Sequence, residues 1–172
     1  MRARRIVKVD KGAVGMNNSL KEVFSRIDLS EGSKVVFAGT PLFCLPFAEI
    51  VVCAIRGLKL EHYFCPNAEV EKARRLVLVE GYGVQLGEPG DPRGAKVAVL
   101  LGGMAIPKYA VPTEKILSFL KEVLAEDGKI VGFSMMGIFD TAKWTEKIPF
   151  DYIVDITLDP VKVEEFKEAE ER

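Results

Sequence analysis

Lys34-Val35-Val36-Phe37-Ala38, followed directly by Gly39-Thr40-Pro41-Leu42-Phe43-Cys44-Leu45-Pro46, is the stretch on which the fold turns. An unbroken apolar run without alternation marks a strand covered on both faces, the normal state of strands in parallel sheets. Two prolines five residues apart do not fit one helix, because the second would lose a backbone hydrogen bond and clash with the preceding turn. Proline is favoured at the first helical position. The segment therefore predicts a strand, a loop, and a helix running from near Pro46 to about Arg56, ended by Gly57. Residues 47–55 are apolar nearly all round, which predicts burial by the sheet on one side and by another body on the other. A second subunit is the natural candidate, so a homodimer is expected.

Upstream, Leu20, Val23, Phe24 and Ile27 recur at helical spacing and predict an amphipathic helix, with a short extended piece over residues 5–9 before it. Downstream, residues 60–64 read as a second strand, residues 68–80 as a helix carrying Val70, Ala73, Leu76 and Val77, and residues 84–86 as a short third strand. The turn-rich stretch 88–94 reads as an exposed loop. A fourth strand over 96–101 leads to a helix from Pro112-Thr113-Glu114 through Ala125, ended by Gly128, and then to a fifth strand over 129–133. Asp140 is expected to cap a short helix containing Trp144; a sixth strand covers 152–156, and a charged helix follows Pro160. Strands alternating with helices predict a doubly wound, mostly parallel sheet in three αβα layers, Rossmann-like, with five or six strands. The expected order is three-two-one-four-five-six, or the flavodoxin-like order if the short third strand is absent.

Length and composition set the frame for this reading. A chain of 172 residues is the size of one domain, taken here as 1–172. Its 24 Lys and Arg against 25 Asp and Glu leave no global field to attract nucleic acid or an anionic membrane. The start is basic, with Arg2, Arg4, Arg5, Lys8 and Lys11, and the segment from Glu164 to Glu171 is acidic; both read as solvated ends. Cys44, Cys53 and Cys65 form no CxxC pair, and His62 is the single histidine, so no metal site is expected. There is no signal-like start and no run of about 18 apolar residues, which places the protein in the cytoplasm. Gln85 is the only Gln and Asn17, Asn18 and Asn67 the only Asn, a composition that fits a thermophile.

In doubly wound sheets ligands bind beyond the carboxyl ends of the strands, where neighbouring crossovers leave to opposite faces. Here that crevice falls between Gly39–Cys44 and Gly102-Gly103-Met104, flanked by Cys65-Pro66 and Ser134-Met135-Met136. The expected ligand-binding residues are Gly39, Thr40, Cys44, Cys65, Gly102, Gly103 and Ser134, with Tyr109, Met135 and Met136 as lining. The helix start near Pro46 offers a positive dipole end to a phosphate or carboxylate, or to the Cys44 thiolate. Cys44 and Glu49 are the catalytic candidates, Glu49 because it is the single acid of that helix, read as lying in its first turn. Ordinary packing explains each of them as well: Cys44 as a small buried hydrophobe, Glu49 as a complement to the helix end, Cys53 as core, His62 as a structural histidine.

Familiar signatures are absent. Gly81-Tyr82-Gly83-Val84-Gln85-Leu86-Gly87 has its third glycine one place late, and the second strand ends in Phe64-Cys65 without a ribose-binding acid, which disfavours a dinucleotide dehydrogenase. No GxxxxGK[ST], GxSxG or HExxH sequence occurs. The Thr40–Cys44 loop resembles the peroxidatic loop of peroxiredoxins, but Thr stands four residues before Cys rather than three. A broader likeness runs through Val35-Val36-Phe37-Ala38-Gly39-Thr40-Pro41, Cys44-Leu45-Pro46-Phe47-Ala48-Glu49, Glu71-Lys72-Ala73-Arg74 and Gly102-Gly103-Met104. These segments resemble a family of uncharacterised archaeal proteins found mainly in methanogens. The resemblance spans most of the chain and implies an archaeal cytoplasmic setting, without assigning catalytic residues or a cofactor. Three functions stay open: a small-molecule or cofactor-binding protein with its site at the carboxyl edge, a thiol-based enzyme using Cys44, and a non-catalytic homodimeric interaction module.

Overall fold

A computed structural model describes residues 3–166. Seven strands form one sheet in the order β4-β3-β2-β1-β5-β6-β7. In chain order the elements are α1 (Gly12–Ser25), β1 (Lys34–Gly39), α2 (Leu45–Ile55), β2 (Glu61–Pro66), β3 (Arg74–Val79), β4 (Gly83–Pro89) and β5 (Ala95–Leu101). They continue with α3 (Thr113–Val123), β6 (Leu124–Met135), α4 (Ile138–Thr141), α5 (Trp144–Lys147) and β7 (Tyr152–Ile156). Strands β2, β1, β5, β6 and β7 are mutually parallel, whereas β3 and β4 are antiparallel to their neighbours.

The central strands are buried on both sides, and the parity of their residues sorts them into two cores. Val35 and Phe37 of β1, with Val97, Val99 and Leu101 of β5, pack under α1 and α2 through Leu20, Phe24, Ala48 and Val51. On the other face Val36, Ala38, Ala98 and Leu100 pack with Ile116, Phe119 and Leu120 of α3 and with Phe139 and Trp144. Helix α2 buries Ala48, Val51, Val52, Ala54 and Ile55. Contacts with α1 supply a second cover beyond the sheet that the apolar sequence of this helix demands.

Residues 68–80 depart from the helical reading. Asn67 and Ala68 adopt left-handed backbone conformations, φ 51° and 57°, which stop a helix before it can begin. One 3₁₀ turn over Val70–Lys72 follows, and Arg74–Val79 then joins Gly83–Pro89 in a hairpin. Gly81 and Gly83, at φ 80° and 85°, make its turn. The expected short third strand is thus β4, longer than read, and the extra strand β3 reverses direction. Helix α3 ends at Val123 because Leu124 is already extended and pairs with Ala95. Asp140 lies within α4 rather than capping the next helix; its carboxylate accepts bonds from Arg4 (2.7 and 2.9 Å) and the Thr145 hydroxyl (2.9 Å). Residues 5–9 and 157–166 carry neither helix nor strand, and the rest of the expected terminal helix, 167–172, lies outside the described residues.

Candidate functional site

Strand β1 ends at Gly39, and its neighbour β5 ends at Leu101, with α2 leaving to one face and α3 to the other. A cavity of about 220 Å³ opens there, extending to the end of β6. Its walls are Phe43, Cys44 and Phe47 from the start of α2, Leu101, Gly102, Gly103 and Ile106 after β5, and residues 133–136 with Ile138 after β6. Of the expected residues, Cys44, Gly102, Gly103 and Ser134 line it, as do Met135 and Met136.

Close packing explains the glycines. A Cβ on Gly103 would stand 2.4 Å from the Cys44 sulfur, 2.7 Å from Thr40 Oγ1 and 3.1 Å from Phe43. On Gly39 it would meet the Cys44 Cβ at 2.4 Å. Thr40 and Cys44 are both buried, with Oγ1 and Sγ 3.2 Å apart in a hydrogen bond. Thr40 thus sits behind the thiol and Gly39 beneath it; neither is part of the wall. Cys65 is elsewhere. It faces the opposite core, where burial foremost, with Glu71 and Glu122 nearby, pushes its thiol up to about 12. Glu49 is half-buried in the second turn of α2, since that helix begins at Leu45, and it does not line the cavity. Tyr109 is likewise outside the wall.

Several of the donors expected at the helix start are already used. Cys44 N–H donates to the Thr40 carbonyl (3.0 Å), Phe43 N–H to Pro41 (2.8 Å), and Phe47 and Ala48 N–H to the Cys44 carbonyl, both 3.1 Å. Pro46 has no N–H to offer. Ser134 is committed too: its hydroxyl donates to Asp155 Oδ1 at 2.6 Å, and the same carboxylate accepts from Gly137 N–H at 3.1 and 3.0 Å. No Lys or Arg is among the lining residues. The site is an apolar chamber with a thiol in its wall, rather than an anion cradle.

Phe47, Leu101, Ile106, Phe133 and Ile138 were not expected in the site. Apolar residues at strand ends look the same in sequence whether they close a core or leave a gap. The Gly81-Tyr82-Gly83 sequence lies on the turn leading out of β3, which runs antiparallel to β2, and so stands at the amino edge of the parallel strands, far from the cavity. Among the described residues no group of three or more His, Cys, Asp or Glu side chains is placed to hold a metal, and no helix is long and apolar enough to cross a membrane.

Two curated proteins resemble the chain closely. One from Methanothermobacter thermautotrophicus is 34% identical over 131 residues, covering 76% of this chain and 83% of that protein. Another from Methanocaldococcus jannaschii is 34% identical over 149 residues, 87% of this chain and 89% of its own. Both are named as uncharacterized. A crystal structure of a protein of unknown function from Methanothermobacter thermautotrophicus superposes with a TM-score of 0.85 at 29% identity, covering 95% of this chain and 100% of that one. It shares the mixed α/β architecture described above. Residues 11–159, nearly the whole described fold, match the family of uncharacterized proteins conserved in archaea, DUF2124, and the chain belongs to that family.

Proposed function

We propose that the protein binds a small, predominantly apolar molecule in the chamber at the carboxyl edge of β1, β5 and β6. The reading treats the sheet as doubly wound and Rossmann-like, with the chamber at the point where crossovers diverge. One observation carries it: a cavity of about 220 Å³ walled by Phe43, Phe47, Leu101, Ile106, Phe133 and Ile138. An apolar cavity of about 150 Å³ is already large enough to take up benzene. The volume suits one aromatic ring with a few added atoms, or a short branched acyl group.

Strain at the mouth supports the same reading. Leu42, beside Phe43, and Met136 both adopt left-handed conformations, φ 69° and 54°. Their apolar side chains are 92% and 73% exposed. Each such residue costs about 1 kcal/mol, and strain of this kind gathers at ligand clamps. The phosphate or carboxylate ligand that the helix start suggested has little support, because several of its donors are taken and no Lys or Arg lines the chamber. The thiol-enzyme reading has less than the binding reading: Cys44 lines the chamber, but it is buried against Thr40 without a cation in the wall to stabilise a thiolate.

Thermal unfolding of the full chain with indole, toluene and inorganic phosphate tests the proposal. A ligand at a hundred times its Kd stabilises by about 2.7 kcal/mol, which is roughly 5–10 °C for a chain of this size. That rise is expected with an apolar probe and is lost in Ile106→Trp, which fills the chamber. A shift with phosphate alone would overturn the apolar reading, and no shift with any probe would overturn binding at this edge.

A further inference from the structure

We infer that the ligand of the chamber is an amphiphile, with an aromatic or short branched body held inside and an anionic head, a carboxylate or a phosphate, held outside by Lys108. This assignment deepens the binding reading above and rests on it. The interior has no place for a charge. Its polar side chains are engaged, Ser134 with Asp155 and Cys44 with Thr40, and no Lys or Arg lines it. Taking an unpaired charge into such a wall is strongly unfavourable. A ligand with an ionised group therefore keeps that group at the mouth.

The loops around the mouth single out one residue to meet it. Residues 40–45, 102–112 and 134–138 lead out of β1, β5 and β6, and Lys108 is their one charged side chain, in a chain of which 28% is charged. Lys108 stands two residues beyond Ile106 of the wall, on a turn that Tyr109 N–H closes by donating to the Ile106 carbonyl at 2.8 Å. The ends of such a turn lie within about 7 Å of each other, and the flexible four-carbon stem of a lysine spans much of that distance. Lys108 is exposed, with Nζ 5.4 Å from the centre of the Tyr109 ring, and among the described residues it makes no ion pair. Lys72 and Lys115, near the same edge of the sheet, are both paired with Glu69. On the β6 side the Asp155 carboxylate, which accepts from Ser134 and Gly137, repels a second anion and turns the head toward Lys108. An unpaired cation beside the rim of an apolar chamber is the complement of an anionic head on an apolar body.

Isothermal titration of the full chain and of Lys108→Gln and Lys108→Glu with phenylpropionate, its neutral isostere phenylpropionamide and phenylpropylamine tests the assignment, with circular dichroism as the check on folding. The acid should bind about three- to tenfold more tightly than the amide, the worth of a partly exposed charge pair. Phenylpropyl phosphate run beside it tells a phosphate head from a carboxylate by which of the two binds more tightly. Lys108→Gln should abolish the preference for the anion while leaving the Kd of the amide unchanged, and Lys108→Glu should turn it in favour of the amine. Equal affinity for acid and amide, or a preference that survives Lys108→Gln, overturns the anionic head and leaves the apolar chamber standing. Binding of none of these probes, or binding undiminished in Ile106→Trp, removes the chamber reading and this assignment with it.

Discussion

The sulfur of Cys44 rests between Thr40 Oγ1, 3.2 Å away, and the bare Cα of Gly103. A methyl group on Gly103 would overlap both Sγ and Oγ1. Gly103→Ala should therefore destabilise by about 1–3 kcal/mol, the usual penalty for overpacking. Removing the sulfur frees only one of the two overlaps, so Cys44→Ala should rescue part of the loss. In a denaturation double-mutant cycle the expected coupling is about 1 kcal/mol. Strict additivity would mean that the backbone moves aside and that the contact does not fix Gly103. The pairing could not be read from the sequence. Gly102-Gly103 after a strand suits a ligand or a tight turn equally well, and its meaning depends on where Cys44 lands.

Among the elements, the loop from β6 into α4 is held by one carboxylate together with a backbone bond from Met136 N–H to the Ile156 carbonyl (2.9 Å). Asp155 on β7 accepts from Ser134 and Gly137, pinning a turn that passes through two left-handed residues, Met136 and Gly137. Asp155→Ala should lower stability by about 1–3 kcal/mol, since charge-assisted bonds are worth about that much. It should also speed amide exchange at Gly137, and unchanged exchange there would remove the pinning role. Legibility varied between elements for physical reasons. β1, β5 and the end of β6 are buried on both faces, so continuous apolar runs announce them, and Pro46 marks the start of α2. The β3–β4 hairpin lies at the sheet edge, where half of each strand meets water. Val70, Ala73, Leu76 and Val77 consequently mimic helical spacing, although Val77 and Val79 favour a strand and Gly81 and Gly83 supply the turn.

At the scale of the molecule, His62 links stability to pH. It is 7% exposed on β2, 6.3 Å from the Phe37 ring, with Nε2 lacking a hydrogen-bond partner. Burial lowers its pKa from 6.5 to about 4. Between those values the unfolded chain binds a proton that the folded chain refuses, so stability falls as pH drops from about 6.5 to about 4 and this contribution levels off below. At about 1.4 kcal/mol per pH unit, the full loss is about 3 kcal/mol. His62→Phe should flatten the stability curve over that window, measured by denaturation at several pH values. Parallel curves for the two proteins would show that His62 titrates normally in the fold. The sheet order around β1 follows from chain order and the right-handed crossover, which is why the cavity's place was foreseeable. Its apolar character was not, because several donors at the start of α2 are consumed by carbonyls that only the folded loop brings within reach.

Trp144 is the single tryptophan, and it stacks on Phe139 at 5.3 Å between ring centres, within the core beneath α3. Tryptophan fluorescence therefore sees one side of the sheet. The opposite side, where α1 and α2 close over Phe37 and Phe24, carries no tryptophan. Agreement between indole emission and backbone dichroism during unfolding would then mean that the two halves of the molecule come apart as one.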